Sequence, residues 1–534
     1  MQTLGTRKSL HLRLFLVLFV TYAFFHQGGG WNQNSRFDQV RALVDSGSLE
    51  INAYCSYELR ELEEGRLDLR RLPMPNPLPQ GYPLDSVNGL DIAIYEGKIY
   101  PNKPPGTTFL ALPAYTLARG LLTLLGRHPD GWWGLTFAFY LTTIFTVGLL
   151  GALGGVVFLA TSQRLFPNVE DRWHLLATLG FTLSTPYFPF ATMLFDHIPA
   201  AVLALLGFYL LLPTAPEAPS RIQPRIRLLL AGTFMACGVL VNYTVVLILL
   251  LTLPWLFHHL EERQDLLFFL LGGGIPAAAL TTYHRLAFDN ALTIANTHQS
   301  ELFMKGEEFF LGVFGLPDLH ALMEILWLPK RGLFFFAPLL LLAVLGFVPM
   351  LRRGKQRPEA LLFLAIAAAF LTMNASFVDW DGGNSFGPRY LLPALPFLAL
   401  PLAPAMARRP RLAMVLLVLS FAVALLGTAT DPQVHNHFER PLGGHALEIF
   451  LGREIPLSPP DLRDPVARNP AGVYEPYAYE VFPPGSPPTQ WNSFNLGEWL
   501  FPQSRWSLLP LLLFLGFAVW HLLATCRENR LVTE

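Results

Sequence analysis

The side chains that could do chemistry gather in a few polar stretches of an otherwise apolar chain, and the densest stretch runs from Trp31 to Gly106. Within it, Arg36 and Asp38 stand near the start of SRFDQVRALV, Asp91 lies in NGLDIAIYEG, and Lys103 lies in YPNKPPG. Pro104, Pro105 and Gly106 stop any helix and fix the backbone direction after Lys103. A lysine held in that way suits the neutralising of a phosphate as a compact point charge. The competing reading is a snorkelling flank residue beside an apolar segment. A second cluster, VDWDGGNSFGPRYLLP over 378–393, sets Arg389 behind three glycines, where a tight turn could present its planar fork to two phosphate oxygens. Arg331 in PKRGLFFFAP is a weaker instance of the same pattern. Asp196 and His197, in FATMLFDHIPAA, form an ionisable pair at the end of a hydrophobic run, which is costly at membrane depth and therefore a candidate binding corner or a hydrogen-bonding anchor. His435, His437, Glu439 and His445 make a loose loop cluster whose spacing is weak support for a metal. The chemistry on offer is anion binding by Arg36, Lys103, His197, Arg331 and Arg389, with Asp91 or Asp38 able to accept a proton.

The elements that must position these residues are hydrophobic helices. Across 534 residues, 52% are hydrophobic and only 14% charged, with mean hydropathy +0.38. Soluble domains carry about 25% charged residues, so most of this chain must face lipid or a helix-bundle interior. The net charge of -1 points away from nucleic acid. Cys55, Cys237 and Cys526 are too scattered for a disulfide framework or a thiolate metal site. No P-loop, Rossmann glycine fingerprint or HExxH occurs.

Hydrophobic segments recur from 12–29 to 506–524, most near the roughly 20 residues that span a bilayer. The first follows Arg7, Lys8 and Arg13 and lacks a small-x-small cleavage site, so it reads as a retained transmembrane helix. The basic stretches 214–227, 351–359 and 407–412 mark cytoplasmic loops, and the N-terminus belongs with them. Parity then requires that one segment between 12 and 213 not cross; 107–125 is placed as an interfacial or half-inserted helix. It also makes 228–258 two short helices meeting near Asn242 and Tyr243, unless one of these runs is a single tilted helix. The expectation is an all-α polytopic protein of about 12 transmembrane helices, with interfacial helices in the first outer loop. Ser35–Val44 is expected to lie amphipathically on the membrane surface, with Phe37, Val40, Leu43 and Val44 downward. Residues 1–430 form the core, 431–505 an outer-face region, and 506–534 a last helix and tail.

The ordered motifs resemble those of a known family. A Ser-Arg-aromatic helix start, YPNKPPG, the Asp-His corner, Arg-Gly-Leu-Phe and SFGPRYLLPALPF together resemble the GT-C superfamily of integral-membrane glycosyltransferases, in particular bacterial protein O-mannosyltransferases and lipid A aminoarabinose transferases. The resemblance covers roughly residues 10 to 430. It implies transfer of a sugar from a polyprenyl-phosphate donor to a glycan, lipid or protein acceptor at the outer face of the bacterial inner membrane, with membrane lipids as the surroundings and no nucleic-acid partner. Where such relatives carry an Asp-Glu pair before the Arg-aromatic step, this chain has Gln33 and Asn34; where a carboxylate precedes the loop lysine, it has Asn102. Asp91 is then the first candidate base and Asp38 the second. Relatives differ on a divalent cation, and the sequence leaves that open. The alternatives are a transporter or flippase of a lipid-linked sugar, and a non-catalytic relative.

Overall fold

A computed structural model describes residues 2–28, 30–55, 91–127, 129, 132–213, 222–299, 310–352, 354–434, 436, 438–451, 494–502 and 504–533. Residues 56–90 of the first polar loop, 214–221 of the basic loop, 452–493 of the outer-face region, and His435 and His437 of the suggested metal cluster lie outside the described residues.

The chain is helical because apolar runs excluded from water must satisfy their own backbone N–H and C=O groups. Among the described residues, five helices are long and apolar enough to cross a membrane: Gly134–Leu165, Pro224–Val241, Arg357–Ser376, Pro410–Ala429 and Arg505–Arg527. Arg263–Gly272 and Gly274–Phe288, bent by 40°, form a further pair of that length together. Shorter apolar helices, including Ser9–Ala23, His197–Leu211, Val245–His259, Leu340–Arg352 and Leu395–Arg408, fall on other expected segments. Proline recurs within and between these shorter helices. Pro254 and Pro349 sit inside their helices, and Pro401 starts a new turn between Leu395–Ala399 and Leu402–Arg408. The break expected near Asn242 and Tyr243 falls between Pro224–Val241 and Val245–His259.

The helix His197–Leu211 is buried along most of its length, packed between Pro224–Val241 and Leu149–Leu165. Small residues allow such close packing where lipid gives no hydrophobic drive between helices. A Cβ at Gly232 would overlap the Phe269 carbonyl, and one at Gly272 the Leu229 carbonyl, so these helices meet backbone to backbone.

Two short antiparallel ribbons depart from the all-helical expectation. Phe25–His26 pairs with Phe494–Asn495, tying the end of the first helix to the approach to the last. Ile92–Tyr95 pairs with Lys98–Pro101 across Glu96 and Gly97, both at positive φ (50° and 77°). Two such central residues give the turn whose twist suits a two-residue hairpin.

The surface placement expected for Ser35–Val44 is corrected. The helix begins at Trp31 and runs to Arg41, and every residue from Asn32 to Arg41 is buried. Phe37 packs edge-on to Tyr115 and Phe139, with ring centroids 5.6 and 4.9 Å apart. The polar face has protein rather than water against it: Gln39 donates to the Tyr283 hydroxyl at 3.0 Å, and Gln33 accepts from the Leu194 amide at 2.8 Å. Periodicity located the apolar stripe, but the apparent solvent face is an internal polar seam.

Candidate active site

Four pieces of chain converge on one half-enclosed cavity. The helix Trp31–Arg41 supplies Asn32 and Arg36, one turn apart and therefore on the same face. The hairpin supplies Asp91 and Lys103. Because Ile92 pairs with Pro101, Asp91 falls opposite Asn102, whose amide donates to the Asp91 carbonyl at 3.3 Å, and Lys103 comes next. The register thus places the lysine Nζ 3.7 Å from the Asp91 carboxylate. The corner before His197–Leu211 supplies Asp196 and His197, and the glycine-rich loop supplies Arg389.

Lys103, Asp196, His197, Arg389 and Asn32 line the cavity. It holds about 180 Å³, room for a polar headgroup but not for an extended hydrocarbon chain. Arg36 lies just beneath, 1% exposed, with Nη2 2.9 Å from Asp196 Oδ2, and its guanidinium also donates to the Asn32 side-chain oxygen. His197 Nδ1 lies 3.6 Å from Asp196 Oδ1 and 3.4 Å from the Asn242 amide. Asp91 sits behind Lys103 and hydrogen-bonds Asn32, and its side chain is still 14% exposed.

The loop carrying Arg389 is held from behind. Arg331, 0% exposed, donates Nε to the Asp381 carbonyl and Nη2 to the Gly383 carbonyl, both at 2.6 Å, and Nη1 to the Lys330 carbonyl at 3.0 Å. Those bonds close a turn in which Gly382 and Gly383 have φ of 74° and 60°. A Cβ at Gly382 would stand 3.1 Å from Arg389 Cγ, so the missing side chain lets the arginine lie over the turn. The Arg389 guanidinium rests 5.6 Å from the Phe195 ring centroid and 5.2 Å from that of Tyr390. Its Nη2 donates to the Tyr390 hydroxyl at 3.4 Å, while Nε is buried without a hydrogen-bond partner among the described residues. A half-buried guanidinium at a cavity wall, with its Nε left without a partner, has the donors that an anion would engage.

Burial alone would raise the Asp91 carboxyl, but Lys103, Arg389 and Arg36 outweigh it and hold it below the ordinary carboxylate value. Burial likewise works to raise Asp196, and Arg36, His197 and Lys103 together reverse that. Lys103 is shifted down, mainly by burial, with the repulsion of Arg389 and Arg36 added and the attraction of Asp91 opposing. Three cations against two carboxylates leave one positive charge in excess. A divalent cation does not fit this donor set. Each carboxylate already faces a cation, and no group of three His, Cys, Asp or Glu suited to a metal occurs among the described residues. Of the loop cluster suggested by sequence, His445 bonds Asp431 at 2.8 Å and Glu439 pairs with Lys330 at 2.9 Å.

Of the residues singled out from sequence, Asp91, Arg36, Lys103, His197 and Arg389 come together. Asp38 does not: two positions beyond Arg36 on the helix, it turns to the opposite side and pairs with Arg41 at 3.3 Å. Arg331 is also absent from the cavity wall, its donors spent on backbone carbonyls. Gln33 and Asn34 are structural, Gln33 bonding the Gly28 carbonyl and the Leu194 amide, and Asn34 accepting from the Gly30 amide at 3.3 Å. Sequence reasoning passed over Asp196 as a charge partner, Asn32 and Asn374. Asn32 had a signal, its spacing of four from Arg36; Asn374, in the last turn of the apolar helix Arg357–Ser376, had only its polarity.

No protein-family model matches the chain, and a comparison with curated proteins finds no match. Among solved structures, the fold is similar to ArnT from Cupriavidus metallidurans, in the apo state and bound to undecaprenyl phosphate. Each comparison gives 16% identity and a TM-score of 0.45, covering 84% and 83% of this chain respectively and 69% of the other. It is also similar to the apo oligosaccharyltransferase of Archaeoglobus fulgidus, with 10% identity and a TM-score of 0.38 over 79% of this chain and 55% of that one.

Proposed function

We propose that the chain is a membrane glycosyltransferase that moves a sugar from a polyprenyl-phosphate donor to an acceptor hydroxyl. The observation that carries this reading is a half-enclosed cavity lined by Lys103 and Arg389, with Asp91 beside Lys103 and Arg36 beside Asp196 immediately behind the lining. In the reaction, the acceptor oxygen bonds to the anomeric carbon as the bond to the phosphate oxygen breaks. The phosphate leaves with the bonding electron pair and goes from one negative charge to two. Cations already in place stabilise that growing charge without reorganising. Asp91 takes the hydroxyl proton. It is the more available carboxylate, since its partner Lys103 is 3.7 Å away and its side chain is 14% exposed, whereas Asp196 is 2.9 Å from Arg36 and 6% exposed. Asp196 holds Arg36 in position, His197 completes the corner, and Arg331 holds the Arg389 turn. The prenyl tail lies along apolar helix faces outside the cavity.

The same reading places about 12 transmembrane helices in the bacterial inner membrane, with a cytoplasmic N-terminus and the cavity on the outer face. Residues 1–430 are the catalytic core, 431–505 an outer-face region, and 506–534 the last helix and tail. Its test is sugar release from a radiolabelled polyprenyl-phosphate hexose by the purified protein in detergent, with Lys103→Ala and Arg389→Ala alongside wild type. Turnover lost in both folded variants supports the transferase. Binding of the lipid with no sugar release across several donors and crude acceptors overturns it in favour of a carrier of lipid-linked sugars.

A further inference from the structure

Beyond its charged groups, the cavity has a neutral polar lining that includes Asn374, Asn242, Thr244, Asn296 and Thr297. Most of these oxygens are engaged. Asn242 Oδ1 accepts from the Thr244 amide at 3.0 Å and its hydroxyl at 2.7 Å, and the Thr297 hydroxyl donates to the Ile294 carbonyl at 2.7 Å. Asn374 differs. It is 1% exposed, its Nδ2 donates to the Trp380 carbonyl at 3.0 Å, and that bond fixes which end of the amide is oxygen. Its Oδ1 is buried with no hydrogen-bond partner among the described residues. A buried acceptor left unmade is costly, and at a cavity wall a ligand donor relieves it.

The charge balance says what kind of donor. Lys103 and Arg389 against Asp196 leave the lining one positive charge in excess, and Arg36 and Asp91 beneath cancel each other. A phosphodiester brings one negative charge and makes the loaded cavity neutral. A diphosphate or a uronic acid would bury an extra negative charge, and an aminosugar would set an ammonium among Lys103 and Arg389.

We propose that Asn374 heads a subsite for an uncharged sugar, its side-chain oxygen accepting a sugar hydroxyl, so that the donor is a singly charged phosphodiester bearing a neutral monosaccharide. This rests on the transferase reading and specifies its substrate.

The experiment measures binding to the full chain in detergent of polyprenyl methyl phosphate, which has the single charge without a sugar, and of the same phosphodiester bearing a hexose, an aminohexose or a hexuronic acid. Wild type should bind the hexose form about tenfold more tightly than the methyl form, the increment of one hydrogen bond to a buried acceptor, and should bind neither charged form more tightly than the methyl form. Asn374→Leu should erase the hexose increment, and Asn374→Asp should transfer the gain to the aminohexose. A hexose form that binds no better than the methyl form, or an increment that survives Asn374→Leu, overturns the subsite. If Asn374→Leu does not fold, the wild-type series decides alone. Failure of the methyl form to bind at all is a different result, since it removes the lipid-phosphate reading itself.

Discussion

Replacing Asp91 by Asn separates a catalytic carboxylate from a structural one. The pair it breaks is 3.7 Å long, with Lys103 21% and Asp91 14% exposed. At an effective dielectric of about 20 that separation corresponds to an attraction of about 4 kcal/mol, much of it offset by the cost of burying both charges. Removing one partner leaves Lys103 uncompensated beside Arg36 and Arg389, so the ligand-free variant should lose about 3 kcal/mol of stability. The asparagine has nearly the shape of the aspartate, so the loss is electrostatic and an anion should restore part of it. Thermal unfolding in detergent, with and without polyprenyl methyl phosphate, reads this directly. The ligand-induced rise in Tm should be larger in Asp91→Asn than in wild type, because the cavity has gained a positive charge. Sugar release should nevertheless fall by about 10²–10⁴, the worth of one positioned base. Lipid binding that holds or tightens while turnover collapses is the expected signature. Turnover within threefold of wild type would refute the base assignment. Loss of lipid binding together with turnover would show that Asp91 only shapes the site.

Asp38→Asn makes the complementary case: paired with Arg41 on the far side of its helix, it should lower Tm while leaving turnover within about threefold. A loss as large as that of Asp91→Asn would place the base on the helix instead. Gly382→Ala forces a side chain into a φ of 74° and against Arg389 Cγ, and should cost about 1–2 kcal/mol while raising the donor KM. Arg331→Lys, which cannot fork between the Asp381 and Gly383 carbonyls, should move KM in the same direction, and an unchanged KM in both variants would show that the turn does not set Arg389. The pH profile follows from the shifts. Asp91 is held below its ordinary 3.8 in the fold, so its ionised form, with the stability it lends, persists at neutral pH and is lost only as pH falls through a point below 3.8. Lys103 is held below its ordinary 10.5, so lipid-phosphate binding should decline as pH rises, at a midpoint short of 10.5. An acid limb of turnover centred above pH 5 would contradict the assignment of Asp91.

The class of the protein was legible in the sequence because apolar runs of membrane length leave the backbone few alternatives to helix. The break at Asn242 and Tyr243 followed from counting crossings, and Lys103 and Arg389 stood out because glycine and proline fix the chain around them. These are local or additive properties of the chain. The hairpin that brings Asp91 to Lys103 was also written locally, in IAIYEGKIYP, although its strands are too short to announce themselves against the helical background.

What the sequence could not decide was which polar groups face one another. Arg36 meets Asp196, Arg331 grips a turn fifty residues away, and Asn374 lines a cavity with residues as distant in sequence as 32, 103, 196 and 242. The helix 31–41 illustrates the reason. Its period fixes which residues share a face, but whether that face meets water, lipid or another polar seam depends on helices that arrive from elsewhere in the chain. Asp38 and Arg36, two residues apart, are thereby sent to different environments, one into a pair with Arg41 and the other beneath the cavity. Burial and charge pairing are sums over neighbours distant in sequence, so only the packed helices could separate the carboxylate set beside Lys103 from the one that pairs within its own helix.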